Sequence, residues 1–316
     1  MDRLKKTGVL LVVGVLLHNI NIYGQVEKVQ LPGDTTYVEV ATLDPVYFRP
    51  GQGVQSVTDL IALLQEDTTF YKSFKNLHFS TYNAEHHVKV YDKKGQGVVA
   101  TLDAESKSIY RDHCYWMNVL EEQISGAYYN KKGVPDYYTT ELYHDIFYNK
   151  KKVCNEKNVL NRDYLNPSGS AIEKNKAQLK LMMFSPGTKI KGIPFIGNRA
   201  SIFDPEVALN YNFRMEVTEK NGVQAYLFEA VPKPGKEGSV VYRVFRTWFD
   251  PYDFHILARE YHLKYNARVY DFDVQIKVDL AQKSELLLVK SIYFNGNWRV
   301  IGQGRERVTF NSRFYH

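Results

Sequence analysis

From Tyr270 to Leu280 the chain alternates without a break. Tyr270, Phe272, Val274, Ile276, Val278 and Leu280 fall on one parity, and Asp271, Asp273, Gln275, Lys277 and Asp279 on the other. A period of two places the apolar set on one face of a strand and the polar set on the other, which predicts an antiparallel sheet covered on one side and wet on the other. The same pattern begins at Phe213, where Phe213, Met215 and Val217 are interleaved with Asn212, Arg214, Glu216 and Thr218. Lys220-Asn221-Gly222 then predicts a tight turn, with Val223–Val231 returning. Further strands are predicted over Val240–Phe249, Phe254–Tyr265, Leu286–Phe294 and Trp298–Phe310. Upstream, Val88 and Val90 lead into a turn at Asp92-Lys93-Lys94-Gly95, Val98–Leu102 runs back, and Ile109–Val119 reads as one more strand. Asn130-Lys131-Lys132-Gly133 is a second hairpin signal.

Helices are predicted in two places. Val57, Leu60, Ile61 and Leu64 follow it after a Ser56 cap, and Phe70, Phe74 and Leu77 continue it beyond Asp67, which predicts one broken amphipathic helix or two short ones. A second helix is predicted over Ala171–Met183, inside a less regular region around 155–197. The resulting plan is an N-terminal leader (1–24), an extended Pro- and Gly-rich segment (25–53) and a single domain (54–316).

The leader is informative. Arg3, Lys5 and Lys6 precede an apolar run, Gly8–Leu17, and Ile22-Tyr23-Gly24 offers a cleavage site before Gln25, as in a secretory signal peptide. The run is shorter than the roughly 20 apolar residues that span a bilayer. An uncleaved anchor is the competing reading, and the lack of a following Cys argues against a lipid-anchored lipoprotein. Removal of the leader, with its three bases against Asp2, lowers the net charge from +6 to about +4. That charge is too mild to point to nucleic acid. Cys114 and Cys154 are the only cysteines, and in an oxidising compartment they can form one disulfide or stay free.

No catalytic or metal site is predicted. Asp250, Asp253, His255, Glu260 and His262 crowd together in "TWFDPYDFHILAREYHL", but Asp250-Pro251 is turn chemistry. His255 and His262, seven residues apart on one strand, would be roughly 23 Å apart and could not share an ion. His86 and His87 point to opposite faces of their strand, and Cys114 has only His113 as a sequence neighbour, which is no substitute for a base positioned by the fold.

The run "WFDPYDFHILARE" resembles the aromatic-Asp-Pro turn and following strand of the LolA-like superfamily of exported lipid and lipoprotein carriers. Phe184–Glu206, "FSPGTKIKGIPFIGNRASIFDPE", is similar to stretches in exported Bacteroidota proteins of unassigned function. The resemblance covers the final third and, more loosely, the Ser56–Leu77 helix; residues 110–197 have no counterpart in the compact carriers. It implies an α+β fold, mainly antiparallel β, with a curved half-barrel covered by helices. It further implies a periplasmic or outer-membrane-associated, non-enzymatic protein without a cofactor. Such a protein would bind a lipid, an acyl chain or another apolar ligand, with transient membrane contact and an envelope protein as further partners. In that reading Phe213, Met215, Val217, Tyr270, Phe272, Val274, Ile276 and Val278 face Leu60, Leu64, Phe70 and Phe74 across an apolar interior, which is either filled by these side chains or open to a ligand. The alternative is a structural or interaction protein of the cell envelope, using the sheet as scaffold and Tyr128, Tyr129, Tyr137 and Tyr138 as its contact surface.

Overall fold

The period-two segments lie side by side in one sheet. The computed structural model describes residues 25–30, 37–42, 57–156, 181, 184–187, 196–266, 271–299 and 304–316. Its strands are β1 (Gln25–Gln30), β2 (Tyr37–Thr42), β3 (Tyr82–Tyr91), β4 (Val98–Arg111), β5 (Cys114–Gly126), β6 (Val153–Cys154), β7 (Tyr211–Lys220), β8 (Val223–Pro232), β9 (Tyr242–Phe249), β10 (Ile256–Asn266), β11 (Asp271–Lys283), β12 (Leu286–Arg299) and β13 (Arg305–Tyr315). Across the sheet the order is β1-β2-β7-β8-β9-β10-β11-β12-β13-β3-β4-β5-β6. Two meanders, β7 to β13 and β3 to β6, meet where β13 pairs with β3. Only the contact of β2 with β7 is parallel among the described pairings. The sheet is curved and unclosed, and helices cover one face, as expected of a half-barrel.

Alternation carries straight across the strands. One row of partners runs Phe213, Ala230, Phe245, Tyr261, Ile276, Phe294, Phe310, Val88, Leu102 and Ile124. The adjacent row runs Arg214, Glu229, Arg246, Glu260, Lys277, Tyr293, Asn311, His87, Asp103 and Gln123. All of the first row except Ile124 is buried. The second row is a ladder of opposite charges: Arg246 holds Glu229 at 2.6 Å, Lys277 holds Glu260 at 3.2 Å, and His87 meets Asp103 at 2.7 Å. The Glu229 carboxylate is buried under its arginines, whereas the more exposed pairs contribute little individually. Together they make the convex face hydrophilic.

Two short helices, α1 (Val57–Glu66) and α2 (Thr69–Asn76), form one part of the cover, broken at Asp67-Thr68. A third, α3 (Tyr138–Phe147), was not predicted. Its first turn is capped by a remote carboxylate: Glu306 on β13 accepts the Tyr138 amide at 2.7 Å and the Thr139 amide at 2.9 Å. Its buried side pins a polar network to the sheet. The fully buried His86 ring is bonded through Nδ1 to the Tyr143 hydroxyl (2.7 Å) and through Nε2 to Ser106 (2.8 Å), and Tyr143 reaches Ser312 at 2.7 Å. One residue further along, His144 Nε2 meets the Tyr128 hydroxyl at 3.1 Å. Burial lowers the His86 pKa to about 3, aided by His144 and His87. Burial also lowers that of His144 to about 4, with Lys150 adding to the shift and Glu122 opposing it.

Two strand predictions require correction. Ile109–Val119 is not one strand: Asp112 and His113, both with positive φ (52° and 58°), form a two-residue turn that ends β4 and starts β5. Conversely, β12 does not stop at Phe294 but continues through Asn295-Gly296-Asn297 to Arg299. Gly296 is there for its missing side chain rather than for a turn. The Phe294 ring stacks flat on Phe310 (centroids 4.5 Å apart, planes 1° apart), and a Cβ on Gly296 would lie 2.5 Å from that ring. Cys114 and Cys154, left open by the sequence, are joined across β5 and β6, closing a loop with a sequence separation of 40. In the chain-entropy view such a closure is worth roughly 4 kcal/mol. The leader 1–24, most of the predicted helix Ala171–Met183, and Tyr270 lie outside the described residues, as does the side chain of Leu60.

Two outcomes follow for stability. Gly296→Ala should lower the urea midpoint by the equivalent of about 1–3 kcal/mol through overpacking against a pinned ring; an unchanged midpoint would show that the ring can yield. Because the unfolded state binds protons to both histidines below pH 6.5 and the folded state does not, stability should fall as pH drops from 6.5 to 5. The slope is up to about 1.4 kcal/mol per pH unit for each histidine. Thermal melts in that window check it, and His144→Gln should flatten the slope by about half.

Candidate functional site

The run Asp250 to His255, which attracted attention as a cluster of metal-ligating types, joins β9 to β10. Asp250 Oδ1 accepts the Tyr252 amide at 2.7 Å, and Asp253 Oδ1 accepts the His255 amide at 3.1 Å and its Nδ1 at 2.5 Å. Asp250, Asp253 and His255 can each present one atom within 4.8 Å of the others. The hydrogen bonds that close the turn account for these residue types without an ion. Between them Phe254 is buried with φ of 59°, a conformation a bulky residue rarely adopts, and its ring stacks on Tyr226 at 5.8 Å. The strand predicted to begin at Phe254 therefore begins at Ile256.

Facing this turn is the joint between α1 and α2. Asp67 Oδ1 accepts the Thr69 amide at 2.8 Å, which starts α2, while Oδ2 receives Arg259 Nη2 at 3.3 Å. Arg259 stands in the middle of β10 and is 3% exposed. Its Nε donates to Thr247 at 3.1 Å, and the guanidinium lies over the rings of Phe70 (4.4 Å) and Phe245 (5.4 Å). Burial draws its pKa below the ordinary guanidinium value, opposed chiefly by the Asp67 charge.

Between the helix joint, the β9–β10 turn and the Ser284-Glu285 turn from β11 to β12 lies a cavity of about 470 Å³. Leu63, Phe249, Phe254, Ile256 and Leu287 form its apolar wall. Glu66, Asp67, Thr68, Thr69, Asp253, His255, Gln282 and Glu285 form its polar part. The volume is within the range of small-molecule sites.

The residues expected to line an apolar interior are elsewhere. Leu64, Phe70, Phe74, Phe213, Met215, Phe272, Val274, Ile276 and Val278 are buried together in the main core, with Val217 packed against it. Around Phe74 the space is taken by Phe184 (5.0 Å between ring centroids) and Phe147 (5.9 Å). None of these residues lines the 470 Å³ cavity. The aromatic contact surface of the alternative reading is corrected: Tyr128 is fully buried, and Tyr129, Tyr137 and Tyr138 are partly buried against the same core. Helical spacing in "YYTTELYHDIFY", with Leu142, Tyr143, Ile146 and Phe147 on one side, was the signal that could have revealed this.

The Asp67–Arg259 pair fixes one wall of the cavity. Asp67→Asn leaves a buried guanidinium without its counter-charge, and should cost about 3–5 kcal/mol in urea unfolding. Combining it with Arg259→Met should recover most of that loss; a single variant as stable as the parent would remove the pair from this role.

No family model and no curated protein matches the chain. Among solved structures it is similar to an outer membrane lipoprotein-sorting protein domain from Vibrio parahaemolyticus, with 12% identity, 78% of this chain and 90% of that one covered, and a TM-score of 0.25. It is also similar to a DUF1329 family protein from Desulfovibrio piger, with 11% identity, the same coverage of 78% and 90%, and a TM-score of 0.22.

Proposed function

We propose that the protein is an exported, non-enzymatic binding protein or carrier that holds the apolar part of a lipid, an acyl chain or a comparable small amphiphile. The observation that carries this reading is the 470 Å³ cavity, with its apolar wall and polar opening, at the junction of helical cover and sheet. An amphiphile matches that division, since each methylene removed from water contributes about 0.8 kcal/mol while its head remains at the polar side. Export is supported by the signal-like leader and agrees with a joined Cys114–Cys154 pair, which persists in oxidising compartments. A non-enzymatic role is supported by the surroundings of the serine–histidine pair. Ser106 and His86 are fully buried, and the His86 ring spends one nitrogen on Ser106 and the other on Tyr143 of α3, so no substrate reaches them.

The test is titration of delipidated protein with a fluorescent acyl probe carrying an uncharged head. The parent should bind saturably, and Leu287→Trp, which fills the cavity from its half-buried wall, should weaken binding about tenfold or more. A parent that binds nothing, or a Leu287→Trp protein that binds equally well, rules out this cavity as the carrier site.

A further inference from the structure

Resting on that carrier reading, we infer that the cavity selects an amphiphile with a cationic head, of the alkylammonium class. Its polar side is acidic although the chain as a whole carries +6. Three separate segments each bring carboxylates to it: Glu66 and Asp67 from the helix joint, Asp253 from the β9–β10 turn, and Glu285 from the β11–β12 turn. His255 is the only basic residue type on the lining, and its Nδ1 is held by Asp253; the neighbouring Lys283 does not line the cavity. Asp67 is committed to Arg259. Glu66 and Glu285 are exposed and have no ion pair among the described residues.

Glu66 is the last residue of α1, whose final turn contains no base. The C-terminal end of α1 and the N-terminal end of α2 meet on this lining, so their opposite partial charges offset and the carboxylates set the sign of the charge that a head meets. A positive head placed here would meet the Glu66 and Glu285 carboxylates together, with its chain against Leu63, Phe249, Ile256 and Leu287. An anionic head, as on a free fatty acid, would be repelled by the same groups. The cavity thus discriminates by head charge, while its wall accepts any aliphatic chain.

Displacement of the uncharged fluorescent probe by three amphiphiles of equal chain length tests this: dodecyltrimethylammonium, an uncharged dodecyl glycerol ether, and dodecanoate, each below its micelle-forming concentration. At low salt the cation should displace at a concentration about fivefold or more below the uncharged compound, with the carboxylate weakest, since two rim charges each contribute modestly. High salt should compress the order. The double variant Glu66→Gln/Glu285→Gln should level it. Equal displacement by all three, or an order that survives the double variant, overturns the head selectivity while leaving the carrier reading in place. Failure of the uncharged probe to bind at all overturns both.

Discussion

A guanidinium removed from water must be answered by charge, hydrogen bonds and polarisable surface, and the way Arg259 is answered determines how the helical cover meets the sheet. Asp67 supplies the charge, Thr247 a hydrogen bond, and Phe70 and Phe245 the ring faces. An unpaired ion in such a place costs several kcal/mol. Asp67 can reach Arg259 while also holding the Thr69 amide because it lies between α1 and α2 rather than inside either helix. The break in the helical pattern is therefore part of the same arrangement as the buried charge. It also leaves Glu66 to Thr69 as one wall of the cavity.

The two rows of partners explain why the cavity lies beside the β9–β10 and β11–β12 turns rather than under the middle of the sheet. In the middle the apolar row is met by three helical contributions, and large rings fill the space: Phe294 stacks on Phe310, Tyr143 leans on Phe310 at 4.8 Å, and Phe74 touches both Phe147 and Phe184. Interiors packed in this way leave few voids. Towards the β9–β10 and β11–β12 turns the cover is reduced to the helix joint. There the lining combines the ends of helices and strands with the connections between them, and no large ring from the cover reaches in to fill the space.

Alternation made the sheet legible, because a period of two in β7, β11 and their neighbours has one structural meaning. The misreadings have separate physical causes. Asp112-His113 turns the chain without the Asn-Gly or Asp-Gly pair that usually announces such a turn. Asn295-Gly296 looks like a turn, but its glycine makes room for an aromatic ring contributed by the same strand and stacked on the next. Helix α3 is rich in Tyr and Thr, which suit strands, and its cap comes from Glu306, far along the sequence. The cavity was the least legible feature. Its lining combines residues from α1, α2, the joint between them, two turns and the ends of four strands, and no periodicity relates them.

The strained backbone at Phe254 indicates what kind of site this is. Holding a bulky residue at φ of 59° costs on the order of 1–3 kcal/mol, and such strain persists only where the surroundings over-determine it. Here the surroundings do: the Asp250 carbonyl accepts the Phe254 amide, Asp253 caps His255, and the Phe254 ring is stacked on Tyr226. The turn is thus fixed before any ligand arrives. The opposite wall is fixed by Asp67, and Ile256 and Leu287 stand on β10 and β12, each paired with β11. The β9–β10 turn and the helix joint are thus each held by hydrogen bonds of their own, independent of anything in the cavity between them. A ligand of the proposed kind would therefore bind with little free energy lost to ordering these two walls.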